Sequence, residues 1–249
     1  MIFKHFGDKN KPVIILIHGG ELSYWMWKPQ IEIFKNKYYI VTPILDGNGE
    51  CSDRNFESIK DCAAKIIDYV NNNFNGKVLA ICGLSLGAQI TVEILSQSNN
   101  IAEKSIIESA MVIPIKFYEI FMRLFINSTY FFSKRRWFVK LQAKKVCIPK
   151  DMFEDYYRDN KKISKKSLIN MVINNARYTL PMSFKNNKCK ILVVYGEKEY
   201  SVIKKSAQLI HKSAYDSNLI TIPGCGHGAS IKLPNDIINI MRKLFEVDR

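Results

Sequence analysis

Short apolar runs recur along the chain between segments whose apolar positions return every three or four residues. Residues 13–17, 38–42, 78–82, 105–108, 191–195 and 218–222 have the length and β-branched content of strands buried on both faces. The intervening segments 27–37, 58–73, 85–96, 201–214 and 234–245 read as amphipathic helices, and Pro234 suits a first helical turn. Strands alternating with helices predict an α/β fold, a mainly parallel sheet with helices on both faces. Residues 2–6, ahead of the Gly7-Asp8 turn, add an antiparallel edge strand.

The alternation stops between residues 111 and 181. That segment is helix-like, holds nine aromatic residues between Phe117 and Phe138, and contains no convincing strand. It reads as a helical cap inserted into a core made of residues 1–110 and 182–249. Aromatic stripes at helical spacing are read first as packing within the cap and second as the wall of a substrate pocket.

At 249 residues and 47% hydrophobic content, the chain suits one domain with a sizeable buried centre. Its net charge is +14, and residues 111–181 supply +10 of it. Lysine heavily outnumbers arginine while isoleucine and asparagine are abundant, which biased base composition explains. With no nucleic-acid module and no aromatic ladder, a nucleic-acid partner is not expected. Six scattered cysteines without a Cys-x-x-Cys pair fit reduced thiols better than a disulfide framework or a zinc site. The amino-terminal residues lack the charged start, apolar run and cleavage site of a secretory leader, so the cytoplasm is the expected compartment. No stretch is apolar enough for stable membrane insertion.

The chemistry concentrates in Gly83-Leu84-Ser85-Leu86-Gly87, which follows a strand pattern and opens a helix pattern. A serine hydroxyl is a weak nucleophile at neutral pH and needs a tight, exposed turn beside a base. Glycines at both flanks fit a turn in which a side chain would crowd the neighbouring strand and helix. There are four histidines: His5, His18, His211 and His227. His5 precedes the sheet and His211 sits in a polar helix. His227 lies in Pro223-Gly-Cys-Gly-His227-Gly, directly after the last strand, where a loop can place an imidazole over the serine as general base. Glu199, at the end of the strand 191–195, is the first choice for the acid that orients the base. Glu108 is its main rival, and Glu197 and Asp46 are weaker. Backbone N–H groups of Gly20, in the turn His18-Gly19-Gly20, and of Leu86, after the serine, are candidate oxyanion donors. His18 reads as a brace for that turn.

Taken together, His18-Gly19-Gly20, Gly83-Leu-Ser85-Leu-Gly87, Gly196-Glu-Lys-Glu199 and Pro223-Gly-Cys-Gly-His227 resemble the α/β-hydrolase fold superfamily over nearly the whole chain outside the cap. The run from His18 through Trp25 and Trp27 is similar to small single-domain serine esterases and carbon–carbon hydrolases. The resemblance implies Ser85 as nucleophile, Glu199 as acid, His227 as base, Gly20 and Leu86 as oxyanion donors, and a variable cap over the acyl pocket. Two departures stand out. The acid position is more usually aspartate, and the family's Asp-x-x-Gly-His-Gly-x-Ser stretch here runs Asp46-Gly47-Asn48-Gly49-Glu-Cys51-Ser52, so its loop is expected to be braced differently.

The expected function is a cofactor-independent serine hydrolase that cleaves a small to medium carboxylic ester through an acyl-Ser85 intermediate. Alternatives are an esterase or thioesterase for a substrate on coenzyme A or an acyl carrier, docked by Lys134-Arg135-Arg136 and Lys144-Lys145, and a carbon–carbon bond hydrolase. Others are a lipase that meets a membrane through the basic cap, and a ligand-binding receptor that keeps the fold without turnover.

Overall fold

The computed structural model describes residues 1–115, 117–146 and 148–246, apart from the Lys145 side chain. Seven strands form one sheet in the order β1-β3-β2-β4-β5-β6-β7. They are β1 (Ile2–Phe6), β2 (Val13–Ile17), β3 (Tyr39–Ile44), β4 (Val78–Leu84), β5 (Ala102–Glu108), β6 (Lys190–Gly196) and β7 (Asp216–Ile222). Every neighbouring pair is parallel except β1 with β3, where Ile2 lies opposite Ile44 and Phe6 opposite Ile40. Helices α1 (Lys28–Phe34), α2 (Ile59–Asn73) and α3 (Leu86–Gln97) join the first strands. The segment between β5 and β6 holds α4 (Tyr118–Thr129), α5 (Arg136–Lys145), α6 (Phe153–Asn160) and α7 (Lys165–Arg177), and no strand among the described residues. Helices α8 (Ser201–Ser213), α9 (Ala229–Lys232) and α10 (Pro234–Glu246) complete the chain.

Successive side chains of a strand point to opposite faces, so continuous apolar runs fill two cores at once. Ile15, Ile17, Ile81, Ile107, Ile191 and Val193 face the layer of α2, α3 and α8. Ile14, Leu16, Ala80, Cys82, Leu192 and Val194 face the layer of α1 and α10. Helix α10 shows the helical counterpart: Ile237, Ile238, Met241, Leu244 and Phe245 recur at three- and four-residue spacing and are all buried.

Several boundaries shift by one to three residues from the sequence reading, and two of the shifts have a visible cause. Strand β3 runs on through Pro43, because its ladder to β2 ends at Val41 and beyond that point it pairs with β1 alone. Helix α1 starts one residue later than expected, after a 3-10 turn at Tyr24–Trp27, and ends three residues short at Phe34. Cys51, Cys62, Cys82, Cys189 and Cys225 are buried thiols, while Cys147 lies outside the described residues.

Candidate active site

Ser85 joins β4 to α3 at φ +56° and ψ −114°, a conformation that a non-glycine residue rarely holds. Neighbours fix it there. Its N–H donates to the Glu108 carbonyl at 2.9 Å, and its own carbonyl accepts from the Gln89 N–H at 3.0 Å. The flanking glycines are required by contact. A Cβ on Gly83 would lie 2.3 Å from the Gly87 carbonyl oxygen, and one on Gly87 would lie 2.3 Å from that of Ile17. Ser85 lines a cavity of about 260 Å³ that His227 also lines, together with the Gly19-Gly20 turn, Glu21, Leu86 and residues of the segment between β5 and β6 including Tyr118, Tyr156 and Met171.

The loops after β6 and β7 are joined by backbone hydrogen bonds, Glu197 N–H to the Ile222 carbonyl at 2.9 Å and Lys198 N–H to the Cys225 carbonyl at 2.7 Å. This pairing brings Glu199 onto His227, whose Nδ1 lies 3.0 Å from Oε1 and 3.3 Å from Oε2 of the carboxylate. The Glu199 side chain is 1% exposed. Burial alone would lower the His227 pKa, but the hydrogen bond and charge of Glu199, aided by Glu108, outweigh it and raise the value above 6.5. Nδ1 is taken by Glu199, so Nε2 is the nitrogen left for chemistry. Among the described residues no hydrogen bond joins it to Ser85 Oγ.

The other acids have different partners. Glu108 is buried and accepts from the Ser230 N–H at 3.0 Å and from the Ser230 hydroxyl, which anchors the start of α9 beyond the histidine loop. Burial pushes its carboxyl up. Glu197 accepts from the Gly224 N–H at 2.8 Å, and Asp46 pairs with Lys65 at 2.7 Å. Of the four carboxylates, Glu199 is the one that touches His227.

His18 is fully buried between two backbone groups, with Nδ1 2.7 Å from the Gly19 carbonyl and Nε2 accepting from the Leu45 N–H at 3.1 Å. These contacts call for a neutral ring protonated at Nδ1. Burial drives its pKa down to about 4. It braces the turn that carries Gly20. His5 contacts Tyr39 and Tyr69, and His211 contacts Ser217, both away from the cavity.

Two residues here make contacts that sequence reasoning did not assign. Glu21 follows the turn at φ +61°, lines the cavity and accepts from Asn160 Nδ2 at 3.2 Å. Asn48 stands where the family pattern has histidine, and its Oδ1 accepts from the Glu21 N–H at 3.0 Å. That bond, with His18, is the altered brace. Gly20 and Leu86 line the cavity beside Ser85, and Leu86 stands in the first turn of α3, where N–H groups have no partner within the helix. A Cβ on Gly20 would come within 3.4 Å of the Leu86 side chain, so the two residues are neighbours.

The model of a family described as "Alpha/beta hydrolase family" matches residues 14–236. The carboxylesterase YbfK of Bacillus subtilis (strain 168) is 30% identical over 114 residues, 45% of this chain; the match spans 38% of that protein's length. A thermophilic esterase from Thermogutta terrifontis superposes with TM-score 0.79 at 15% identity, over 98% of this chain and 92% of that one. A bromoperoxidase from Bacillus anthracis superposes with TM-score 0.83 at 14% identity, over 98% and 94%. Identities so low establish the shared fold, and differently named activities on it leave chemistry to be argued from the site. The extent of the family match, on a sheet and elbow of this form, shows that the chain belongs to the alpha/beta hydrolase family.

Proposed function

We propose that this hydrolase is a serine esterase for small carboxylic esters. The observation that carries the reading is the Glu199–His227 pair at 3.0 Å, presented to the cavity that Ser85 also lines. Ser85 Oγ attacks the ester carbonyl carbon while His227 Nε2 takes its proton. The tetrahedral oxyanion is held by the Gly20 and Leu86 N–H groups, each worth about 10²–10³ in rate at comparable sites. Collapse expels the alcohol, protonated by His227, and leaves acyl-Ser85. Water, deprotonated by His227, then attacks the acyl carbon, and the acyl–oxygen bond breaks as His227 returns that proton to Ser85 Oγ and the carboxylic acid leaves. Glu199 holds the imidazole with Nδ1–H directed at itself and offsets the charge of the imidazolium. The hydrogen bond between Ser85 and His227 forms as substrate loads, in keeping with the loose apo geometry common at such sites.

A cavity of about 260 Å³ walled by Leu22, Leu84, Met171, Val172 and Ile231 favours a short acyl group. Residues 111–181 act as a cap, since Tyr118, Val146, Tyr156 and Met171 close one side of that cavity. A fluorophosphonate probe tests the reading. The folded protein should carry one adduct, on Ser85, and Ser85→Ala should carry none and lose turnover of p-nitrophenyl acetate. A folded protein without an adduct on Ser85 refutes the mechanism.

A further inference from the structure

Six aromatic residues of this segment, Phe117, Phe121, Phe125, Phe131, Phe132 and Trp137, are exposed, contrary to the expectation from their helical spacing, whereas Tyr118 and Tyr156 line the cavity. Of the eighteen large apolar side chains exposed among the described residues, twelve fall between Ile115 and Val146. Phe117 just before α4, and Ile120, Phe121, Leu124 and Phe125 on it, stand three and four residues apart and exposed, and Ile126 is the helix's sole buried residue. Trp137 and Leu141, four apart on α5, extend the same character. Soluble surfaces ordinarily carry such side chains singly, and a contiguous set marks an interaction face.

The charges around this face state what it meets. Arg123, Arg135, Lys140 and Lys144 are exposed and make no ion pair with a carboxylate among the described residues, whereas Arg136 and Arg177 are matched by Glu154 and Glu119. Glu119 is the sole acid between residues 115 and 146. Two copies of the chain meeting through this face would set these cations against one another. Phenylalanine, leucine and tryptophan beside lysine and arginine are instead the composition of a helix that lies in a lipid interface. No described helix is long and apolar enough to cross a membrane.

We propose that the α4–α5 face of the cap docks on an anionic lipid bilayer. Phe121, Leu124 and Trp137 enter the headgroup boundary, and Arg123, Lys140 and Lys144 sit against lipid anions. Tyr118 and Val146 belong both to the edge of this face and to the cavity wall, so docking turns the cavity mouth toward the lipid. The docking does not depend on what Ser85 does.

The full chain is mixed with vesicles of phosphatidylcholine, with or without phosphatidylglycerol, at low salt, where surface charges act over about 30 Å. Trp25 and Trp27 are buried and Trp137 is 62% exposed, so a change in tryptophan emission on adding vesicles reports Trp137. Co-sedimentation with the phosphatidylglycerol vesicles and a blue shift are expected. Each cation near an anionic surface contributes about fivefold in affinity, so Arg123→Glu with Lys140→Glu should weaken binding by at least about 25-fold. Phe121→Ser with Leu124→Ser should abolish most binding while leaving the melting temperature and p-nitrophenyl acetate turnover without vesicles unchanged. Ser85→Ala should sediment like the wild type. The proposal is overturned if the wild type does not sediment with phosphatidylglycerol vesicles, or if the Phe121/Leu124 variant sediments equally well. A concentration-dependent dimer that this variant loses, without vesicle binding, would assign the face to a second copy and also overturn it.

Discussion

Exchanging Glu199 for glutamine removes one charge from the site and leaves the side chain's shape, so it isolates what the carboxylate does for His227. In the wild type Nδ1 lies 3.0 Å from Oε1, and the carboxylate raises the imidazole pKa above 6.5 against the opposing effect of burial. The amide carries no charge to oppose the developing imidazolium, and it can hold the ring in the wrong tautomer. Analogous exchanges cost about 10³–10⁴ in rate, or ~4–5.5 kcal/mol of transition-state stabilisation. The pH profile adds an independent readout. His227 acts as a base only when neutral, so kcat/KM falls on acidification through its pKa, and the wild-type midpoint should lie above 6.5. With the carboxylate gone, burial remains and the midpoint should drop to 6.5 or below. Glu108→Gln is the control. Its amide can still accept from the Ser230 N–H and donate to the Ser230 hydroxyl, so the loss should stay under about tenfold with the acid limb little moved. Both variants are assayed from pH 5 to 9 on p-nitrophenyl acetate at matched folded fraction. A silent Glu199→Gln, or a Glu108→Gln as damaging, would refute the assignment of the acid.

Gly87→Ala places a methyl 2.3 Å from the Ile17 carbonyl oxygen and 2.5 Å from that of His18, both backbone atoms. Urea unfolding should show a loss of about 3 kcal/mol, the upper part of the usual overpacking range. His18 has its folded pKa depressed from 6.5 to about 4, so the unfolded chain takes up its proton first and acid destabilises the fold across that window. At about 1.4 kcal/mol per tenfold in proton affinity, the wild type should lose about 3 kcal/mol more than His18→Gln between pH 6.5 and 4, read from urea midpoints. Asn48→Ala frees the Glu21 N–H that its Oδ1 accepts at 3.0 Å and loosens the turn beneath Gly20. It should lower kcat on p-nitrophenyl acetate by roughly tenfold or more, with KM changed less, if oxyanion geometry depends on that brace.

What could be read from the chain followed the range over which each feature is encoded. Ser85 and its glycines form one pentapeptide whose turn geometry is local, and the predicted α/β alternation matches the sheet because apolar runs of four to seven residues are themselves the strands. The nearness of Glu199 to His227 is less local, but each closes a strand, and parallel strands carry their ends to one edge. The departure of the Asn48 loop from the family pattern is legible, and with it a changed brace, but the bond from Glu21 N–H to Asn48 is not, because it joins loops after β2 and β3, 27 residues apart. The cap failed differently. Periodicity reveals that α4 has an apolar stripe but says nothing of what the stripe faces, and here it faces outward.

Two histidines near the same sheet edge, both in glycine-rich surroundings, are driven in opposite directions by what touches them. His18 hydrogen-bonds only to backbone groups, a carbonyl on one nitrogen and an N–H on the other, and burial outweighs the pull of the Gly19 carbonyl and the Asp159 charge and keeps it neutral. A ring so held can brace the Gly20 turn across the working pH range without taking up the proton that catalysis moves. His227 has a buried carboxylate on Nδ1 and a second at longer range in Glu108, so its charged form is favoured where the proposed mechanism needs a proton received. Had the carboxylate stood beside His18 instead, a charged ring would lie under the oxyanion turn and lose its acceptor role toward the Leu45 N–H, while the serine would lack a base. On the proposed reading the division of labour rests on where the buried carboxylates stand, while Asn48, which cannot titrate, holds the Glu21 N–H beside the Gly20 turn.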